Sequence, residues 1–220
     1  MNDGLSKNIK KDWPILLLIL ATLAAGICVY PRLPDMIPGH WNIKGQVDGW
    51  VSKSFGVLFF PLLNLGLYPL MLLLPRIDPR RENYRRFAGA YRVIRLFLHA
   101  FLALIYIVTL LAALGYALRV DAIVKFFVSL LILVLGNYMG KIKHNYFVGI
   151  KTPWTLASEE VWYKTHRFAA PLWVGAGALG MVLSVFRQLW LNYLYFASFI
   201  IIGFVPIIYS YFLFRKTRMN

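Results

Sequence analysis

Residues 93–118 read VIRLFLHAFLALIYIVTLLAALGYAL, an uninterrupted apolar run with one fixed charge, Arg95, and one histidine, His99, both near its start. About 20 apolar residues in a helix cover the roughly 30 Å of a bilayer's hydrocarbon core, so this run predicts a transmembrane helix. Five more candidate spans surround it, at residues 13–30, 55–75, 122–140, 171–186 and 193–214. The fifth is the shortest and is rich in glycine. The chain has 220 residues, is 60% hydrophobic and only 15% charged, with a mean hydropathy of +0.62. A water-soluble domain of this size cannot hide so much apolar surface, so lipid is the solvent the sequence calls for. The expected fold is an all-α integral membrane protein, a single six-helix domain over residues 1–220.

The net charge of +15 would suggest nucleic acid in a soluble protein. Here the charge is segregated into the connections between apolar runs, which points to anionic headgroups and to topology, with no direct nucleic-acid partner. Lys7, Lys10 and Lys11, the run from Arg76 to Arg95, the loop from Lys141 to Arg167, and Arg215, Lys216 and Arg218 fall on one side. They account for 18 of the 24 Lys and Arg residues. The positive-inside rule then puts both termini in the cytoplasm, in a multi-pass protein of the cytoplasmic membrane. The first span has the basic flank of an export signal, but it runs straight into Val29-Tyr30-Pro31 with no small-x-small cleavage pattern, so a retained helix is expected. A lone cysteine, Cys28, rules out an intramolecular disulfide.

Two connections are long. Residues 31–54, on the outer side, read PRLPDMIPGHWNIKGQVDGWVSKS. Pro31, Pro34 and Pro38 favour extended backbone and argue against helix. His40-Trp41-Asn42-Ile43 and Gln46-Val47-Asp48-Gly49, joined at Lys44-Gly45, predict a small hairpin. Trp41 and Trp50 suit headgroup depth. The loop reads either as a rigid lid on the bundle or as a docking surface. His40 with Asp35 and Asp48 is too sparse a set for a metal, and neither a metal nor another cofactor is expected.

Residues 141–170 form the inner loop, and its centre, Asn145–Arg167, reads NYFVGIKTPWTLASEEVWYKTHR. Lipid does not account for this spelling. Pro153 drives Thr152 into extended backbone, and Gly149 supplies a turn before it. Ser158 suits an N-cap, with Glu159 and Glu160 in the first turn and Glu160 four residues before Lys164. Trp162, His166 and Trp173 would share a stripe if the helix runs on. Pro171 is expected in the first turn of the next membrane helix, leaving an interfacial amphipathic helix ahead of it. Asn145, Thr152 and Thr155 suit the backbone of a tight turn, while Lys151, Lys164 and Arg167 suit phosphates or the two glutamates. The loop reads as a plug at the mouth of the bundle or as a binding surface for a protein or headgroup. Glu159, Glu160 and His166 lack the spacing of a zinc protease or nucleophile elbow, so no enzyme is expected.

The run Asn145, Gly149, Lys151, Thr152, Pro153, Trp154, Thr155, Leu156, Val161, Trp162, His166 and Arg167 resembles the signature of the SdpI family. These are bacterial membrane proteins named for an immunity protein against a secreted peptide toxin. Leu33, Pro34, Ile37, Pro38, His40 and Gly45 resemble a Leu-Pro-x-x-Ile-Pro-x-His loop common near the N-terminus of SdpI-like proteins. The resemblance spans most of the chain. It implies a binding and signalling protein whose partners are a secreted peptide toxin and a cytoplasmic repressor held at the membrane. Binding positions would lie in the signature, with Glu160, and in the outer loop at Pro34, Pro38, His40, Trp41 and Gly45. Lys151 stands where Arg is usual, a point charge in place of a planar fork.

Four polar residues within the spans are singled out: Asn64, Arg95, His99 and Asn137. Intramembrane charge marks a cavity or a snorkelling end, and snorkelling is expected for the near-terminal Arg95. His99 is expected to meet Asn64 or Asn137. A shared cavity lined by all four would support the alternative of a small channel or transporter for a lipid, peptide or ion. Gly136 with Gly140, and Ala176 with Gly180 beside Gly175 and Gly177, predict close packing of the fourth and fifth spans.

Overall fold

Long apolar helices carry most of the chain in the computed structural model, which describes residues 11–219. Lys7 and Lys10 of the basic flank lie outside the described residues. The elements are α1 (Trp13–Val29), a 3-10 turn (Tyr30–Arg32), β1 (Met36–Trp41), β2 (Val47–Ser52), α2 (Lys53–Ile77) and α3 (Asn83–Arg86). There follow α4 (Ala88–Ala113), α5 (Val120–Met139), α6 (Pro153–Ala157), α7 (Glu159–Leu183) and α8 (Leu189–Met219). Five helical stretches are long and apolar enough to cross a bilayer: Trp13–Arg32, Lys53–Ile77, Ala88–Ala113, Val120–Met139 and Leu189–Arg218. The chain is a mostly helical, multi-pass membrane protein.

The α4 helix sits about five residues earlier than the apolar run that announced it. It ends at Ala113 because Gly115 takes φ +88°, where its N–H bonds to Ala112 O and the Tyr116 N–H reaches back to Leu111 O. A second departure concerns the fifth span. Pro171 does not open a helix; it lies inside α7, which continues unbroken from Glu159 to Leu183. The expected interfacial helix and the expected span are one element. Pro171 removes one backbone donor, and the packing of the helix on both sides of it outweighs that loss.

The described chain forms two compact units, with α2 and α4 each divided between them. One comprises the described part of Met1–Leu70 together with Leu96–Asp121. In it α1 presents a four-residue stripe of Ile15, Ile19, Thr22 and Gly26 to the protein, while Trp13, Leu17, Leu20 and Ile27 stay exposed, as a lipid-facing surface would. Cys28 is also exposed. The loop after α1 is a two-stranded antiparallel hairpin pairing Met36 with Ser52 and Trp41 with Val47. β1 begins four residues earlier than the glycine turns suggested, and β2 one residue later. Pro38 is tolerated within β1 because a two-stranded sheet is all edge, and the register breaks between Pro38 and His40. Pro31 is the second residue of the 3-10 turn, a first-turn position that needs no N–H, so the prolines did not exclude helix altogether. Ile37 is fully buried in a cluster with Leu33, Val57, Tyr106 and Leu110, which fastens the hairpin to its unit. At the tip, the Asn42 side chain accepts from the N–H groups of Lys44 and Gln46 at 2.9 and 3.1 Å.

The other unit comprises Met71–Arg95 and the described part of Ala122–Asn220. Its α5 and α7 touch backbone to backbone. A Cβ on Gly136 would lie 2.8 Å from the N of Val174, one on Gly177 would lie 2.7 Å from the N of Leu133, and one on Gly180 would lie 2.5 Å from Ser129 Oγ. Gly175 and Gly140 do not belong to this seam: Gly175 faces open space, and a Cβ on Gly140 would meet only Arg167, at 3.9 Å. Trp173, whose Cβ faces Gly136 in this seam, also donates to Ile202 O at 3.1 Å, and Phe168 stacks on Tyr209, tying α7 to α8.

The seam makes a prediction within one helix. Gly177→Ala forces backbone apart and should cost about 1–3 kcal/mol, read as a lower melting temperature in detergent. Gly175→Ala, two residues earlier and unopposed, should leave stability unchanged or raise it by up to about 1 kcal/mol through helix propensity.

Candidate functional site

The inner loop is folded by side chains that supply what its irregular backbone lacks. Asn145, fully buried, accepts from the N–H groups of Phe147 and Val148 at 2.9 and 2.7 Å and donates to the carbonyls of Lys143 and Val148, both at 2.8 Å. Asp78, in the connection between α2 and α3, accepts from the Tyr146 N–H at 2.9 Å and the Arg80 N–H at 2.7 Å. The Tyr84 hydroxyl lies 3.2 Å from both the Asp78 carboxylate and the Asn145 carbonyl oxygen, joining the two clasps. Burial together with the Asp78 charge holds the Tyr84 phenol protonated, its pKa well above the ordinary range. Asn83 donates to His144 O at 2.8 Å.

Past the turn, Gly149 adopts φ +121°, and Pro153 leaves Thr152 extended at φ −117°, ψ 161°. Thr152 then caps α6. Its hydroxyl accepts from the Thr155 N–H at 3.1 Å, and Thr155 Oγ1 accepts from the Thr152 N–H at 2.9 Å while donating to Ile150 O at 2.8 Å. Thr152 also reaches Ser210 of α8 at 3.0 Å. Ser158 caps α7, accepting from the Val161 N–H at 3.3 Å, and Lys164 pairs with Glu160 at 2.6 Å one turn on.

Trp162 and His166 are the floor of the block, each about 1% exposed. Their rings stack at 4.2 Å, with His144 on the other side of Trp162 at 5.0 Å. Trp162 donates to Ile142 O at 3.0 Å. His166 donates from Nδ1 to Trp162 O at 2.8 Å and accepts at Nε2 from the Ile150 N–H at 3.0 Å. That pair of bonds requires the neutral ring with its proton on Nδ1. Burial pushes the His166 pKa down to about 4, and burial followed by the Arg80 charge lowers that of His144. A Cβ on Gly149 would lie 2.4 Å from His166 Nε2, so glycine is demanded there twice.

Five of the sequence-predicted site residues are therefore interior: Asn145, Thr152, Thr155, Trp162 and His166. Trp162 meets the protein, not lipid. The outward face carries Lys151, Pro153, Glu160 and Arg167, with Trp154, Leu156 and Gly149 half-buried. Arg167 folds over Tyr163, donating to its hydroxyl at 3.3 Å, and Trp154 meets Tyr211 edge-on at 5.0 Å.

A model of the SdpI/YfhL protein family matches residues 141–210, and a model of a domain of unknown function, DUF1648, matches residues 17–65. Immunity protein SdpI of Bacillus subtilis (strain 168) is 28% identical over 177 residues, covering 80% of this chain and 83% of that protein. The chain is similar to the SdpI family over residues 141–210 and to Immunity protein SdpI over most of its length. No solved structure matches it. The SdpI match contains the whole folded block with α7 and most of α8, and the second match contains the hairpin.

In the hairpin, His40 pairs with Asp48 at 2.5 Å, while Asp35 turns to Lys53 at 2.9 Å. Gly45 sits at the tip, where a Cβ would meet Asp121 at 2.8 Å. Pro34 is exposed, Pro38 buried and Trp41 half-buried. Among the intramembrane polar residues, His99 bonds Asn64 through its ring, and Asn64 also donates to His99 O at 3.2 Å. Asn137 is exposed on α5. Arg95 does not snorkel: it is only 4% exposed and its guanidinium lies over the Tyr91 ring at 5.9 Å.

Sequence reading missed two polar groups. Asp78 is the clasp of the block, and its signal was an isolated acid within a basic run. Lys125, buried in α5, donates to Asn192 at 2.9 Å and Phe186 O at 3.4 Å; its signal was a lone cation inside an apolar window.

Two outcomes follow for the block. Asn145→Ala strands the N–H groups of Phe147 and Val148 and should destabilise by roughly 2–4 kcal/mol, seen as lost protease resistance between residues 145 and 155. The second concerns pH. The unfolded state binds a proton at His166 below about 6.5 while the folded state resists until about 4. Stability is therefore full above pH 6.5 and falls as pH drops toward 4, by at most on the order of 3 kcal/mol. Melting temperature in detergent should fall across that window, and His166→Gln should flatten the slope.

Proposed function

We propose that this chain is a membrane immunity protein that protects its cell from a secreted antimicrobial peptide toxin. The observation that carries the reading is the similarity to Immunity protein SdpI over four-fifths of each chain, together with family matches that contain both folded loops. The engagement of the block's titratable side chains supports a non-enzymatic role. His166 is spent on the backbone of its own block, and Glu160 on Lys164, so neither is poised as an acid or base.

The apolar half of α7 serves as the sixth crossing, and both termini face the cytoplasm. The basic distribution supports this arrangement. The hairpin then meets the toxin from outside, through exposed His40 and Trp50 and half-buried Trp41. Inside, the outward face at Lys151, Pro153 and Trp154 holds a cytoplasmic repressor. The buried residues of the signature act by keeping that face in shape.

Cells expressing the chain should survive culture supernatant from a toxin-producing strain that kills cells lacking it. Trp154→Ala should weaken signalling or protection at normal membrane levels, whereas Trp162→Ala should lower the level itself. Full function in Trp154→Ala and Trp50→Ala alike would remove both surfaces from the mechanism. Sidedness has its own check. In a Cys28→Ser background, a membrane-impermeant maleimide applied to intact cells should label Ile43→Cys and spare Lys151→Cys; the reverse pattern would invert the topology.

A further inference from the structure

In the second unit, an open pocket of about 620 Å³ lies between the start of α4 and the end of α5. Three cations line it: Arg86 from α3, and Lys141 and Lys143 just beyond α5. No acidic residue lines it, and among the described residues none of these three cations forms an ion pair. Two acids, Glu159 and Glu160, line a smaller adjoining cleft, where Glu160 is already held by Lys164. Aromatic rings position two of the cations: Lys141 lies over Tyr138 at 4.7 Å and Lys143 over Tyr163 at 5.7 Å. Each gains a cation–π contact while keeping its donors for another ligand.

The rest of the wall is apolar, with Val93, Phe87 and Ala90 on the α4 side, and it has a glycine floor. A Cβ on Gly89 would meet nothing within 4 Å, so the space above it is open. The pocket also sits where two membrane-crossing stretches, Ala88–Ala113 and Val120–Met139, begin and end. A cationic rim over an apolar wall at that level complements an amphiphile with a phosphate head and an acyl tail.

We propose that this pocket binds the phosphate headgroup of an anionic phospholipid. Arg86, Lys141 and Lys143 surround the phosphate, and the upper acyl chain lies against Val93 and Phe87. The site is distinct from the hairpin and from the outward face of the signature block, and it does not depend on an immunity role.

The full chain is purified into nanodiscs of phosphatidylcholine doped with phosphatidylglycerol, and retained lipid is counted by native mass spectrometry. Wild type should keep phosphatidylglycerol in preference to phosphatidylcholine. Combined Arg86→Gln, Lys141→Gln and Lys143→Gln should reduce that retention about tenfold or more, at roughly a severalfold loss per charge. Gly89→Leu fills the pocket while leaving every charge in place and improving helix propensity; it should cause a comparable loss in a protein that remains folded. Neutralising Lys216 and Arg218 in the tail should change nothing. Equal retention in wild type and triple variant overturns the proposal, as does retention undiminished by Gly89→Leu or lost equally with the tail charges. Competition separates the sources of phosphate. Displacement of the lipid by millimolar inorganic phosphate would assign the site to a soluble anion and overturn the lipid assignment, whereas resistance to it supports the lipid.

Discussion

An irregular loop that turns away from water must find an acceptor for every N–H it buries, and the whole inner face of this protein is arranged around that requirement. Between Tyr146 and Thr152 five backbone donors are met by Asp78, Asn145, His166 and Thr155. An apolar replacement of any of the four leaves a backbone N–H unmatched. The cost of such a mismatch exceeds what any surface ion pair in the chain contributes. The aromatic floor, the two helix caps and the glycine at 149 follow as the packing that keeps those acceptors in place.

The consequence for function is a separation between residues that build the block and residues that face outward. A signature of this density invites the reading that every member touches a partner. Here the most specific side chains, Asn145, Trp162 and His166, are the least accessible. The accessible rim carries Lys151, Pro153, Trp154 and Arg167. Lys151 lies on that rim, so the difference between a point charge and a planar fork falls where a partner would feel it.

Much of this architecture was legible in the sequence because it depends on local chemistry. The hairpin followed from closely spaced turn residues, the extended Thr152 from the proline after it, and the Ser158 cap from the glutamates behind it. Apolar runs located the helices to within a few residues. What failed was non-local. Asp78 reaches Tyr146 across 68 positions, and no spacing rule links an acid in one connection to a backbone amide in another. Pro171 looked like a boundary because a proline costs a donor, yet the contacts of Trp173 with α8 and of Gly177 with α5 hold the helix through it. Arg95 was near enough to a helix end to snorkel, and only three-dimensional packing shows it covered.

The continuity of α7 fixes how the inner face can behave. A helix of 25 residues is a rod roughly 37 Å long, and this one has its cap in the folded block and its far end among apolar neighbours. With no break at Pro171, the block and the half of α7 packed on α5 are one continuous element. Anything that pushes on the cap end must tilt the whole rod, and the glycine seam on α5 is the fulcrum about which such a tilt would turn.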